Sequence, residues 1–156
     1  MPNELVEQYA AGANQLSQAI TGLTPEDLHA HPVPGTWSIQ QIVLHLMDAD
    51  LITADRMKRV IAEENPTLIG FDESAFARGL FYESLDAAMA ADVFAKNRLL
   101  TAEILRRLPP EAFERSGMHN ERGRITLGQF VKLMVEHLEH HISFIKEKRR
   151  LLGKPL

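Results

Sequence analysis

Seven histidines are distributed over 156 residues, and their spacing sorts them. His137 and His141 stand four apart in a segment of helical periodicity, so their imidazoles lie one turn apart on one face. Such a pair can chelate a single ion, and a histidine from a facing helix supplies a third nitrogen. At about 100° per residue, Phe130, Met134, His137, His141, Phe144 and Ile145 fall within an arc of about 100°, and this arc is the apolar face. His45 lies between Ile42, Ala49 and Ile52, at the margin of the apolar face of another segment. A buried polar group without a partner costs about 1–3 kcal/mol, so three inward imidazoles on two helices need something to satisfy them. A divalent ion does so, and three nitrogens leave it open positions for water or substrate, the pattern of a catalytic rather than a structural site. Three imidazoles suit zinc, nickel, copper or iron.

Other residues stand near this set. Asp48 follows His45 by three positions on the same side, where a carboxylate can orient an imidazole or take a proton from a bound water. Its bland alternative is a surface aspartate. Arg56 falls near the His45 line further along the segment, placed either to clamp an anionic substrate or to pair with an acid such as Asp72 or Glu73. His29 and His31 belong to a Pro-rich connection and are expected to face solvent. His119 lies in the Ser116–Arg124 loop, where it can line a pocket. His140 is rotated about 60° from His137.

Four helical segments must position these residues. They run from about Glu4 to Gly22, from Ser38 toward Val60, from about Leu85 to Leu108, and from Thr126 to about Leu152. Ser38 with Gln41, and Thr126 with Gln129, have the form of capping boxes. Gly153 and Pro155 end the last segment, whose Lys146, Lys148, Arg149 and Arg150 suit the negative end of its dipole. Leu23-Thr24-Pro25-Glu26-Asp27-Leu28 is echoed by Leu108-Pro109-Pro110-Glu111-Ala112-Phe113, each leading through a loop to a capped helix that carries histidine. No stretch of strict alternation competes, so the chain reads as all-α, a four-helix bundle. Connections of about 15, 20 and 17 residues are longer than usual for bundles. The middle one carries Phe71, Phe76, Phe81 and Tyr82 and is expected to pack over one end of the bundle, with its own small core or as a pocket wall.

Composition removes several classes of function. There are no cysteines, which excludes disulfides, thiolate ligands and a cysteine nucleophile. The net charge of −4 offers no basic field for a nucleic-acid backbone. No apolar run reaches the ~18 residues of a membrane span and the start does not resemble a signal peptide. The expectation is one cytoplasmic domain over residues 1–156, acting on a small molecule without nucleic-acid or membrane partners.

The run Gly35-Thr36-Trp37-Ser38-Ile39-Gln40-Gln41-Ile42-Val43-Leu44-His45-Leu46-Met47-Asp48 resembles the W-[ST]-x-x-[EQ]-x-x-x-H-[LI]-x-[DE] signature of the DinB-like proteins. Asn65-Pro66-Thr67, Phe71-Asp72-Glu73 and Glu136-His137-Leu138-Glu139-His140-His141-Ile142 resemble the YfiT branch of that superfamily. Glu136, Leu138 and Glu139 depart from the histidine and tryptophan that the branch carries there. The resemblance implies a four-helix bundle of up-up-down-down connectivity, a homodimer, and a divalent metal held by His45, His137 and His141. The implied chemistry is that of a metal-dependent hydrolase, or of a thiol-S-transferase using a low-molecular-weight thiol as co-substrate. Zn²⁺ or Ni²⁺ would activate the water or the thiol, with Asp48 as the candidate catalytic residue. The alternative is a non-catalytic metal- or small-molecule-binding bundle with a stress-response or interaction role. A fourth side-chain ligand, Asp48 or His140, would favour that alternative.

Overall fold

A computed structural model of the protein describes residues 2–156. Ten elements follow in order: α1 (Pro2–Ala11), α2 (Gln15–Ala19), α3 (Pro25–His29), α4 (Ile39–Ala62), β1 (Thr67–Leu68), α5 (Glu73–Gly79), α6 (Ala87–Arg106), β2 (Ser116–His119), β3 (Gly123–Thr126) and α7 (Leu127–Leu151). Short 3-10 turns occupy Tyr82–Ser84 and Pro110–Glu114. Both expected capping boxes are present. The Ser38 and Thr126 side chains accept from the backbone N–H of Gln41 and Gln129, whose side chains accept in return. Thr24 and Asp27 form a third box at α3.

The bundle is made of α1–α2, α4, α6 and α7, with α4 and α1 each packing against both α6 and α7. Two apolar clusters fix the running directions. At one end, Ile39, Ile42 and Val43 of α4 meet Ala87 and Ala91 of α6, Ile145 of α7 and Leu16 of α2. At the other, Val6 of α1 meets Met57 and Val60 of α4, Leu105 of α6 and Leu127 of α7. The helices therefore run up, down, down, up, and this corrects the up-up-down-down order expected from the resemblance. The reason lies in the second connection, residues 63–86, which travels the length of the bundle and lets α6 start at the same end as α4. Gln40 at the start of α4 closes that end by donating to the carbonyls of Tyr82 and Leu85.

Three further differences have local causes. The first segment is two helices rather than one, broken at Gly12. A Cβ there would lie 2.6 Å from Arg98 Nη1 and 2.7 Å from Leu138 Cδ2, so the close approach of α6 and α7 requires glycine. The connections contribute a small three-stranded sheet of order β1-β2-β3, parallel then antiparallel, with Leu68 opposite His119. Its strands have two to four residues, too short for an alternation signal. Of the two echoed segments, the first forms α3 and the second a 3-10 turn. Among the described residues no helix is long and apolar enough to cross a membrane.

Candidate metal centre

His45 enters the site from the second turn of α4, placed by the Ser38 cap and by Trp37, whose ring centroid is 4.9 Å from its own. His137 and His141 come from the middle of α7, their rings 4.6 Å apart. Tertiary packing brings the three together, with one ring nitrogen of each within 4.8 Å of the others. His45 Nε2 and His137 Nε2 are 3.1 Å apart. Two ligands bound at 2.0–2.1 Å at a tetrahedral angle are separated by about 3.3 Å, so the donor set suits a small divalent ion.

The electrostatics agree. Burial holds His45, His137 and His141 below the usual imidazole value, at about 4, 3 and 4, and neighbouring imidazoles add to the effect. All three are thus neutral near pH 7, the state a metal ligand requires. The Nδ1 atoms of all three are buried and have no hydrogen-bond partner among the described residues. Among the described residues no carboxylate or carbonyl holds these rings through Nδ1, and for His45 and His137 it is Nε2 that faces the cluster.

The pair on α7 does not point into the centre of the core. Leu127, Phe130, Val131, Met134, Leu138, Ile142 and Ile145 form the core face, its centre about 65° round the helix from the histidines. His45 is 1% exposed, whereas His137 and His141 are only half-buried because they front two clefts. The first cleft, about 310 Å³, reaches His45 and His137 from the side of the sheet. The second, about 450 Å³, reaches His141 past Trp37 and Phe144. The crossing connection, expected over one end of the bundle, runs lengthwise instead. Its Gly70, Phe71 and Glu73 line the first cleft, so it does serve as a pocket wall.

Glu73 is the site residue that sequence reasoning did not single out for this role. It stands at the first position of α5, held there by the Asp72 cap, and lines both clefts. Its Oε2 is 3.7 Å from His45 Nε2. The one sequence signal was its place within the Asn65–Glu73 resemblance. Asp48, by contrast, accepts a 2.5 Å hydrogen bond from the Tyr82 hydroxyl and is not within the three-histidine group.

The remaining histidines divide as follows. His29 and His31 are exposed, His29 beside Glu83 and His31 beside the carbonyl of Thr36. His140 is exposed and stacks edge-on against Phe144, 4.5 Å between centroids. His119 is 4% exposed at the end of β2 and lines the first cleft. Its Nδ1 accepts from the backbone N–H of Glu121 and Arg122, which leaves Nε2 to carry the proton of the neutral ring.

A bundle of this connectivity with a three-histidine cluster on facing helices defines a class, and comparison agrees with it. The DinB superfamily model matches residues 8–145, and the chain belongs to that superfamily. Among its relatives is "Putative metal-dependent hydrolase YfiT" of Bacillus subtilis, 29% identical over 140 residues, covering 89% of this chain and 79% of the relative. A relative of the same designation from Oceanobacillus iheyensis is 27% identical over 143 residues, covering 92% and 83%. The solved structure of Bacillus subtilis YfiT, described as "a probable metal-dependent hydrolase with an unusual four-helix bundle topology", is similar to this chain with a TM-score of 0.91 at 26% identity, covering 97% of this chain and 87% of that one.

Proposed function

We propose that the protein is a metal-dependent hydrolase whose divalent ion is held by His45, His137 and His141. The observation that carries this reading is the convergence of three neutral imidazoles whose rear nitrogens are unpartnered and whose front faces two open clefts. An ion there supplies Lewis-acid polarisation and makes a water, or a thiol, nucleophilic near neutral pH.

The chain's own residues do the rest. The three histidines set the position of the reacting centre. Glu73 Oε2 accepts the proton that the nucleophile gives up, because it is the carboxylate oxygen standing over the cluster. Asp48 acts as a positioning residue through the Tyr82 hydroxyl, holding the segment just beyond α5 and so the place of Glu73. Trp37 packs on the His45 ring and keeps water from that flank. A second reading, transfer to a low-molecular-weight thiol, draws support from one observation, the presence of two clefts that reach one cluster. Zinc and nickel both suit the donor set.

The test is metal analysis combined with turnover on a panel of esters and amides, with and without added thiols. One ion per chain is expected in the parent and none in His137→Ala. Glu73→Gln should keep the ion and lose about 10²–10⁴-fold in rate, with Asp48→Asn losing less. Absence of bound metal after loading with zinc or nickel would overturn the proposal.

A further inference from the structure

The first cleft is not symmetric along its length. His45, Ala49, Thr53 and Arg56 of α4 all line it, at spacings that keep them on one face. The Cα atoms of His45 and Arg56 are thus about 16 Å apart along the helix. The far end gathers positive groups. Arg56 is half-buried there, and His119 at the end of β2 and Arg122 of the β2–β3 turn line the same space. Arg56 gives one Nη2 hydrogen bond to the carbonyl of Ile69, but its Nε is buried and has no partner among the described residues. Among the described residues neither Arg56 nor Arg122 enters an ion pair. Arg59, one turn of α4 away on the solvent side, is paired with both Asp55 and Glu63. Two carboxylates do line the cleft, Glu73 at the reacting end and Glu121, whose carboxylate rests against Gly70. Glu121 shares this end; Arg56 and His119 are both held below their usual values, first by burial and then by the neighbouring positive charges, Arg122 on Arg56 and Arg56 with Arg122 on His119. Gathered cations with unspent donors, in a cavity of about 310 Å³, are the ordinary form of an anion site.

We infer that the far end of this cleft is a carboxylate subsite, in which Arg56, Arg122 and the Nε2–H of His119 hold the anionic end of a substrate. The reacting end of that substrate lies at His45 and His137, and this half of the assignment rests on the proposed metal centre. The subsite itself does not, because none of its three donors belongs to the metal cluster. The separation calls for a chain of several carbons between the two ends. Phe71, Phe130 and Leu133 supply apolar walls for that chain. Glu73 and Glu121 in the same space favour a monoanion over a phosphate dianion.

Binding of three probes to the metal-free and the zinc-loaded protein tests the inference: monomethyl glutarate, its neutral counterpart dimethyl glutarate, and inorganic phosphate, followed by amide chemical shifts. Monomethyl glutarate should bind about tenfold or more tightly than the neutral diester in both states, as expected for hydrogen bonds to a charged group. Arg122→Met, on an exposed turn, and Arg56→Met should each remove that preference without changing metal stoichiometry. His137→Ala, which cannot load metal, should retain it. Equal binding of the acid and the diester, or an undiminished preference in Arg122→Met, would overturn the subsite. Tighter binding of phosphate would overturn its assignment to carboxylates. Preference for the acid in a parent that takes up no metal would leave the subsite standing and remove the metal centre.

Discussion

Asp50 and His45 are five residues apart on α4 and each is 1% exposed, yet the polar groups they belong to are completed differently. The Asp50 carboxylate receives Nε and Nη2 of Arg98 at 2.8 and 3.0 Å. The same guanidinium donates to the carbonyls of Met134 and Tyr9 and lies between the Tyr9 and Phe94 rings. This network joins α1, α4, α6 and α7 and pairs the Asp50 carboxylate with the Arg98 guanidinium from within the chain. The histidine cluster joins only α4 and α7 and does not close: among the described residues its three Nδ1 atoms have no partner, and the Nε2 atoms of His45 and His137 meet at 3.1 Å with no group between them to complete the set. A buried polar group that the chain satisfies from within is structural. One that it leaves incomplete at the meeting of two clefts is addressed to something from outside.

Breaking the closed network should have the largest effect. Arg98→Met leaves a buried carboxylate unpaired and should cost about 3–5 kcal/mol, read from chemical denaturation. A loss below 1 kcal/mol would erase the contrast between the two regions. Metal comes next. If the cluster is completed by an ion, loading to 100–1,000 times the dissociation constant should stabilise the protein by about 2.7–4.1 kcal/mol. Chelation should return that increment while helical circular dichroism stays unchanged, because the apolar clusters at both ends of the bundle do not include the histidines. Loss of helicity on chelation would make the site a structural one.

The pH response of the metal-free protein sharpens the same comparison. In the native state burial holds the three histidines at about 3 to 4, against about 6.5 in an unfolded chain. Below pH 6.5 the unfolded state binds protons that the native state refuses, so this contribution is complete above 6.5 and is lost as pH falls toward 4. The slope is at most about 1.4 kcal/mol per pH unit for each histidine, reduced where His137 and His141 meet solvent. Denaturation curves at pH 7, 6 and 5 should show the loss, and His137→Ala should flatten it. A smaller effect has the opposite sign to Arg98→Met. His137→Leu in the metal-free protein replaces an unsatisfied polar group with an apolar one and should gain about 1 kcal/mol while abolishing the metal increment. His29→Ala, at an exposed pair with Glu83, should stay within about 0.5 kcal/mol.

What was legible in the sequence is what depends on short separations. Four-residue spacing puts His137 and His141 on one face, and serine or threonine three residues before glutamine starts α4 and α7 at the right positions. Helix geometry ties such features to a few ångströms of chain, so local rules reach them. The apolar stripe of α7 was legible only approximately, because a wheel cannot distinguish residues that face the core from residues that face a cleft beside it. Nothing in the helical segment from Leu85 to Leu108 marks Arg98, and Glu73 is legible only as a candidate ion-pair partner for Arg56. Their places beside Asp50 and His45, 48 and 28 residues away in the chain, follow from how helices and connections pack. The sequence alone determined the long helices α4, α6 and α7, the caps of α4 and α7, and the three-histidine set. Tertiary structure decided the up-down-down-up order, the break at Gly12, the sheet, and the lengthwise path of the crossing connection that brings Glu73 over the cluster. Those depend on contacts between residues far apart in sequence, where chain spacing carries no distance.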